Sequence, residues 1–222
     1  MPVHRDVTVP PSAHALSLAG VGLERTDPPV VRVEAAEDVV VVVSRSRDAA
    51  REVFLERCAA DRVPVVRRPS GGGAVVLGPG VIAASVVAAR ADRAAFPEVW
   101  FRHFGGALAG ALAGLGVAGV TVQGVSDLCL GDRKIAGSSL RLAGGRVLYQ
   151  VSLLVALDLT LLDRYLPIPR RQPDYRRGRA HREFVTTLRA AGLEPPVERV
   201  LFAVHDALAG AAGALRPRRA TV

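Results

Sequence analysis

Apolar residues along the chain switch between two spacings, and the switches mark out its elements. Residues 38–43 form an almost unbroken valine run, the pattern of a central strand buried on both faces, and 30–33 reads as a shorter strand before it. Over 47–61 the spacing of Val53, Phe54 and Cys58 predicts a helix. Strand character returns at 63–67, 74–77 and 81–88, the last two divided by Gly78-Pro79-Gly80. From 97 to 115 the spacing is helical again, with Pro97 suited to a first turn. Two hairpins follow. The first pairs 127–130 with 133–136 across Gly131-Asp132, where glycine comes first, as a type II′ turn requires. The second joins 140–142 to 146–157 through Ala143-Gly144-Gly145. Beyond a polar, arginine-rich stretch ending at Arg182, the chain reads as helical to about 212. A short helix over 13–23 and a frayed end over 216–222 complete the pattern. No repeat and no long linker divides it, so 1–222 is expected to form one domain, with a helical C-terminal segment from about 178.

Composition narrows the class. Half of the 222 residues are hydrophobic, enough for one sizeable core. The formal net charge of +8 invites a nucleic-acid reading, but aromatics are only 5%, with no aromatic-and-basic RNA motif and no zinc spacing. Such a basic surface suits an acidic protein partner or a phosphorylated small molecule equally well. Cys58 and Cys129 are too few for a disulfide framework or most cysteine-based metal sites, and both sit among apolar residues as buried, reduced thiols would. No run approaches the roughly 18 apolar residues of a membrane span, and the start lacks a convincing signal-peptide core. A cytoplasmic, soluble protein without membrane contact is the expectation.

Against that background one residue stands apart. Of 29 lysines and arginines, only Lys134 is lysine. Surface lysines and arginines exchange freely, so the one that remains points to a task for a compact ammonium with three donors and a movable pKa. A second candidate is the loop Arg67-Arg68-Pro69-Ser70-Gly71-Gly72-Gly73-Ala74-Val75 between two predicted strands. Three successive glycines let backbone N–H groups close on a ligand, and paired arginines suit a carboxylate or phosphate. The loop is neither a Walker A motif nor a dinucleotide fingerprint, because strand residues follow the glycines.

Taken in order, Arg-Arg-x-Ser-Gly-Gly-Gly-Ala-Val and then Ser126-Asp127-Leu128 through Gly131-Asp132-Arg133-Lys134-Ile135-Ala136-Gly137-Ser138-Ser139 resemble the catalytic domain of lipoate–protein ligase A, in the wider biotin/lipoate ligase and octanoyltransferase superfamily. The resemblance implies an α+β fold: a mixed, largely antiparallel sheet flanked by helices, like the catalytic cores of class II aminoacyl-tRNA synthetases and biotin ligases. It implies activation of lipoate or octanoate with ATP and Mg2+ to an acyl-adenylate, then transfer to a lysine of a lipoyl domain. Lys134 matches the family's essential lysine. Arg68 and Gly73, Ala74, Val75 and Val76 match nucleotide-contacting positions, and Ser70, Gly71 and Gly72 complete the substrate- and ATP-binding loop. Gly137 and Ser138 would shape the carboxyl end of the pocket. Asp127 stands at the Asp of an Asn-Asp-Leu, where adenylate or magnesium binding and hairpin stabilisation are both open. No protein metal site is implied.

The chain also departs from the pattern. Aromatic-His-Asp after the glycine loop is replaced by Val76-Leu77-Gly78-Pro79-Gly80, whose Gly-Pro-Gly is closer to an octanoyltransferase loop. Gly-Arg-x-Gln becomes Ser44-Arg45-Ser46-Arg47, and Gln-His-Gly becomes Gln150-Val151-Ser152. An accessory C-terminal domain of the longer ligases is not expected, so a separate accessory protein is a possible partner. The competing activity is octanoyl transfer from acyl carrier protein through a cysteine, for which the family position holds Gly119 and Val120. Cys129 is five residues from Lys134, an odd separation, and Leu128 and Leu130 should face the other side of the sheet from it, so a buried structural thiol is favoured. The third class is a non-catalytic acyl-binding or nucleic-acid-binding relative, suggested by the missing histidine and the basic composition. Residues 170–182 hold a basic run suited to an acidic lipoyl domain or acyl carrier protein, to ATP phosphates, or to plain solvation. Within it Tyr175, Arg179 and His181 have no assignment, and His181 suits helix capping or packing better than proton transfer.

Overall fold

The computed structural model describes residues 29–90 and 95–215, with Leu18 and Leu23; the expectations for 13–23 and 216–222 otherwise lie outside the described residues. Six strands make the larger sheet, in the spatial order β1 (Val30–Ala35), β5 (Val81–Ala89), β9 (Arg146–Leu154), β8 (Arg133–Ala143), β7 (Asp127–Leu130) and β6 (Val120–Gln123), every neighbouring pair antiparallel. A smaller sheet places β2 (Val40–Ser44) between a parallel β3 (Val65–Arg68) and an antiparallel β4 (Val75–Leu77). This is the expected α+β arrangement of a mixed, largely antiparallel sheet flanked by helices.

Each face of the larger sheet has its own core. Ile82, Ala84, Val86 and Ala88 of β5 pack with Trp100, Phe104, Leu108 and Leu112 of α3 (Pro97–Gly114) and with Val200, Val204 and Leu208 of α6 (Val197–Ala214). The four α3 side chains recur every four residues, which lays one apolar stripe on the sheet. Val81 and Ala83 point the other way, into a core shared with the β2 valines, Val76 and Leu77. Strand β5 is thus covered on both sides, and β2 is buried throughout, so neither shows polar alternation.

Four elements differ from the sequence reading, each through long-range contacts. The helix expected over 47–61 is broken into α1 (Ala49–Glu52) and α2 (Leu55–Ala60). At the break Val53 is extended (φ −143°, ψ 140°) and buried in the second core, while the Phe54 N–H donates to the Tyr165 carbonyl at 2.9 Å. Strand β6 was not foreseen. The two expected hairpins share one continuous β8, closed by a two-residue turn at Gly144 and Gly145, both at positive φ. After α4 (Thr160–Tyr165), the C-terminal region holds only α5 (His181–Phe184) before an extended stretch and a single 3-10 turn lead to α6. Val185-Thr186-Thr187 and Pro195-Pro196 resist a continuous helix, and the sheet draws off the backbone N–H groups of Thr186, Leu188 and Arg189.

Candidate active site

The lysine hairpin turns at Gly131, which has φ +57° while Asp132 stays at negative φ, as the expected turn demands. Cys129 faces Lys134 directly across it, as an odd separation requires around a two-residue turn, and Leu128 and Leu130 turn to the helix-covered face. One further step along, the pairing shifts: Leu128 partners Ala136, which leaves Ile135 as an extra residue on β8. Positions 134 and 137 of a regular strand point to opposite faces, and a bulge reverses that relation. Ile135 and Ala136 enter the helix-side core, while Lys134 and Gly137 share the other face. Asp127 is the cross-strand partner of Gly137. Its Oδ1 lies 2.8 Å from Lys134 Nζ, and a Cβ on Gly137 would fall 2.7 Å from that nitrogen. The ammonium therefore occupies the space that a side chain at 137 would fill.

Ahead of it, the glycine loop is built around Arg68. This side chain is buried, and it donates through Nε to Ser70 Oγ and Gly71 O, through Nη1 to Val42 O, and through Nη2 to Gly71 O and Gly73 O at 2.6 and 2.7 Å. Burial pushes its pKa down to about 10, which still leaves it charged at neutral pH. The forked guanidinium thus grips the loop's own carbonyls. Ser70 Oγ contacts Ser139 Oγ at 2.8 Å and donates to Gln150 Oε1, whose amide nitrogen donates to Leu18 O and Ser85 Oγ. This buried network ties the smaller sheet to β5, β8 and β9, and sequence reasoning found only Ser70 of its side-chain members. A hydroxyl or amide reads as solvated until the fold brings its partner.

Residues 174–186 strap the lysine hairpin from outside. Tyr175 donates its phenol to Asp127 Oδ2 at 2.7 Å and meets Cys129 Sγ at 3.5 Å. Burial, then the Asp127 charge, hold the phenol's pKa well above its usual value, so it stays a donor. Arg179 binds Asp132 through Oδ2 and the backbone carbonyl, and the Thr186 N–H donates to Lys134 O, beside the bulge. His181 is buried. Burial and then the Arg176 charge lower its pKa, so the neutral ring accepts from Arg176 Nη2 on Nδ1 and donates from Nε2 to Pro167 O. The arginine-rich run is therefore divided in duty. Arg176, Arg179 and Arg182 serve the fold, while Arg170 and Arg171 stay exposed.

These parts enclose a cleft of about 480 Å3, within the usual range for ligand sites. Of the residues singled out in the sequence, Lys134, Asp127, Gly137, Ser138, Arg68, Gly72, Gly73, Ala74, Val75 and Val76 line it. Ser70 and Gly71 do not, because the network holds them behind the loop. The Ser138 hydroxyl is spent on Ser126 O at 2.7 Å. Leu154, Leu162, Leu166 and Val185 give the cleft an apolar side, and Arg47, Arg51, Arg170 and Arg171 a basic one. Cys129 is fully buried, and burial raises its thiol pKa, as expected of a structural cysteine.

A lysine and a glycine loop facing one cleft across two sheets have counterparts in known proteins. The family model described as "Lipoyl protein ligase A/B catalytic domain" matches residues 16–209. The chain belongs to this family of enzymes. It is 30% identical over 152 residues to a lipoate–protein ligase of Streptococcus pyogenes, covering 68% of this chain and 44% of that protein. It is 36% identical over 120 residues to an octanoyl-[GcvH]:protein N-octanoyltransferase of Kyrpidia tusciae, covering 51% and 39%. The chain thus spans less than half the length of either relative. Among solved structures, a bi-partite lipoate protein ligase of Thermoplasma acidophilum superposes with TM-score 0.71 at 24% identity, over 82% of this chain and 71% of that one. A lipoate-protein ligase A bound with ATP gives TM-score 0.69 at 24% identity, over 82% and 72%. Both share the fold. No helix among the described residues is long and apolar enough to cross a membrane.

Proposed function

We propose that this chain activates lipoate or octanoate with ATP and transfers the acyl group to a lysine of a lipoyl domain. The observation that carries the reading is the Lys134 ammonium, fixed over Gly137 by Asp127 and opening on the same cleft as residues 72–76 and the apolar wall. In the first step a carboxylate oxygen of the acid attacks the α-phosphorus of ATP, and pyrophosphate leaves with the electrons of the broken P–O bond. In the second, the neutral ε-amine of the acceptor lysine adds to the acyl carbonyl. AMP then leaves with the electrons of the C–O bond, and the amine gives one proton to solvent. Charge grows on the carbonyl oxygen in that step, and a pre-placed ammonium stabilises it. An arginine fork would not fit the same gap as a compact donor.

The glycine loop allows close backbone approach to phosphate, with Arg68 keeping it in shape from behind. Magnesium would enter on the ATP phosphates, since among the described residues no group of three or more His, Cys, Asp or Glu could cage an ion. Asp127 serves as the anchor of Lys134. The basic side of the cleft, Arg47, Arg51, Arg170 and Arg171, suits an acidic lipoyl domain. A separate accessory protein assisting adenylation is compatible with the bi-partite ligase that shares this fold. Octanoyl transfer through Cys129 is disfavoured by its burial and raised pKa.

The test is incubation of the chain with ATP, Mg2+, lipoate or octanoate and a lipoyl domain, read as a mass shift on the acceptor lysine. Lys134→Arg should lower the rate by on the order of 100-fold. Activity within a few fold of the parent would sink the role assigned to Lys134. Transfer from octanoyl-[acyl carrier protein] without ATP, lost in Cys129→Ala, would favour the thioester route instead.

A further inference from the structure

Next to the lysine lies a polar group that nothing in the fold employs. Ser152 is the cross-strand partner of Gly137 on one side and of Ala83 on the other. Neither neighbour carries a side chain beyond a methyl, so the Ser152 hydroxyl stands clear of the sheet on the face that bears Lys134. It lines the cleft and is only 6% exposed, yet it makes no side-chain hydrogen bond among the described residues. The next polar side chain on that face of β9, Gln150, is fully committed to Ser70, Leu18 and Ser85. Cross-strand Cβ positions lie about 4.5–5.5 Å apart. The hydroxyl is therefore a few ångströms from the point where Gly137 lacks a Cβ, which is 2.7 Å from Lys134 Nζ. A ligand oxygen bound over Gly137 would lie on the sheet face that carries both groups. The hydroxyl is not among the buried atoms left without a partner, so it opens on the cleft, where a ligand oxygen can take the contact that solvent otherwise makes.

We propose that Ser152 is a substrate-contacting residue of this site. Its hydroxyl donates to the acyl oxygen that Lys134 faces, first an oxygen of the free carboxylate and then the carbonyl oxygen of the acyl-adenylate. The inference rests on the function proposed above. When the acceptor amine adds to the carbonyl, the C=O π electrons move onto that oxygen, and the Ser152 hydrogen bond strengthens as they do. The serine keeps its proton throughout. A short polar side chain at this depth also sets where the apolar wall begins, and so the point from which the acyl tail extends past Leu154.

The experiment compares the parent chain with Ser152→Ala and Ser152→Thr in transfer from preformed octanoyl-AMP to a lipoyl domain, with thermal melting and octanoate binding measured alongside. Ser152→Ala removes no hydrogen bond of the folded chain, so its Tm should match the parent within about 2 °C. Its kcat should drop on the order of 100-fold, with KM for octanoyl-AMP changed less than threefold. Ser152→Thr, which keeps the hydroxyl, should recover most of that loss. A kcat for Ser152→Ala within threefold of the parent overturns the assignment while leaving the proposed function standing. Should the parent transfer nothing, the proposed function fails, and octanoate binding then judges the contact alone. Binding weakened at least fivefold in Ser152→Ala upholds it; unchanged binding, or no binding to the parent, overturns it.

Discussion

A methyl group added at Gly137 would land 2.7 Å from Lys134 Nζ and 2.9 Å from its Cε, well inside contact distance, with Asp127 Oδ1 at 3.9 Å. What must move is the far end of a flexible side chain, so the backbone can stay in place. Gly137 does not lie in the left-handed region, and alanine there narrows the unfolded ensemble by about 0.4–1 kcal/mol, which offsets much of the strain. Stability of Gly137→Ala should therefore stay within about 1 kcal/mol of the parent. Function should not. The ammonium has to swing about 1 Å to restore a normal contact distance, which strains its 2.8 Å pair with Asp127 and, on the proposed function, takes it off the acyl carbonyl. Loss of one fixed donor at a developing oxyanion costs about 2.7–4 kcal/mol, or 10²–10³ in rate. The assay is single-turnover acyl transfer from octanoyl-AMP to a lipoyl domain, with guanidinium unfolding as control. A folded Gly137→Ala that transfers within threefold of the parent would show that the position of the ammonium is irrelevant and refute the reasoning.

Three further outcomes test the shell around the lysine. Tyr175→Phe keeps the ring against Gly124 and Phe184 but deletes the donor to Asp127; it should cost about 1 kcal/mol of stability and reduce kcat roughly five- to tenfold with KM unchanged, and an unaltered kcat would remove Tyr175 from the arrangement. His181 stays neutral in the fold because burial lowers its pKa, whereas the unfolded chain takes up a proton near pH 6.5. Stability from this group is thus full above about pH 6.5 and declines below it, by up to about 1.4 kcal/mol per pH unit. His181→Gln should flatten the loss of Tm between pH 7 and 5, and parallel curves would contradict the burial argument. Arg68→Met leaves the carbonyls of Gly71, Gly73 and Val42 without their shared donor; a loss of about 3 kcal/mol is expected in chemical unfolding, and a change under 1 kcal/mol would show that the loop holds itself.

Much of the site was legible before folding because its signals are local. A single lysine, three consecutive glycines and a Gly-Asp turn each state their chemistry within a few residues, and the turn formed with glycine at positive φ as read. The valine run announced a strand buried on both faces. Misreadings arose where one segment answers to another far along the chain. The spacing of Val53, Phe54 and Cys58 suits one helix, but Val53 is needed in the second core and Phe54 at Tyr165. Arg68 lines the cleft as a candidate anion contact, and its bonds to the carbonyls of its own loop show only once the loop folds back around it. Tyr175 has no local signal for its role, and His181 reads only as a capping or packing residue, since their partners Asp127 and Pro167 lie 48 and 14 residues away from them.

The sequence by itself determined the inventory: one ammonium, one glycine-rich loop, and the order of the elements that carry them. Only the tertiary structure decided their facing. Turn chemistry is settled by neighbouring dihedrals, but the face a strand residue takes depends on register with strands elsewhere, and one extra residue reverses it. Ile135 is that residue here. It turns Lys134 and Gly137 to the same side, where Asp127 can hold the ammonium and where Ser152, paired with Gly137, lines the same cleft.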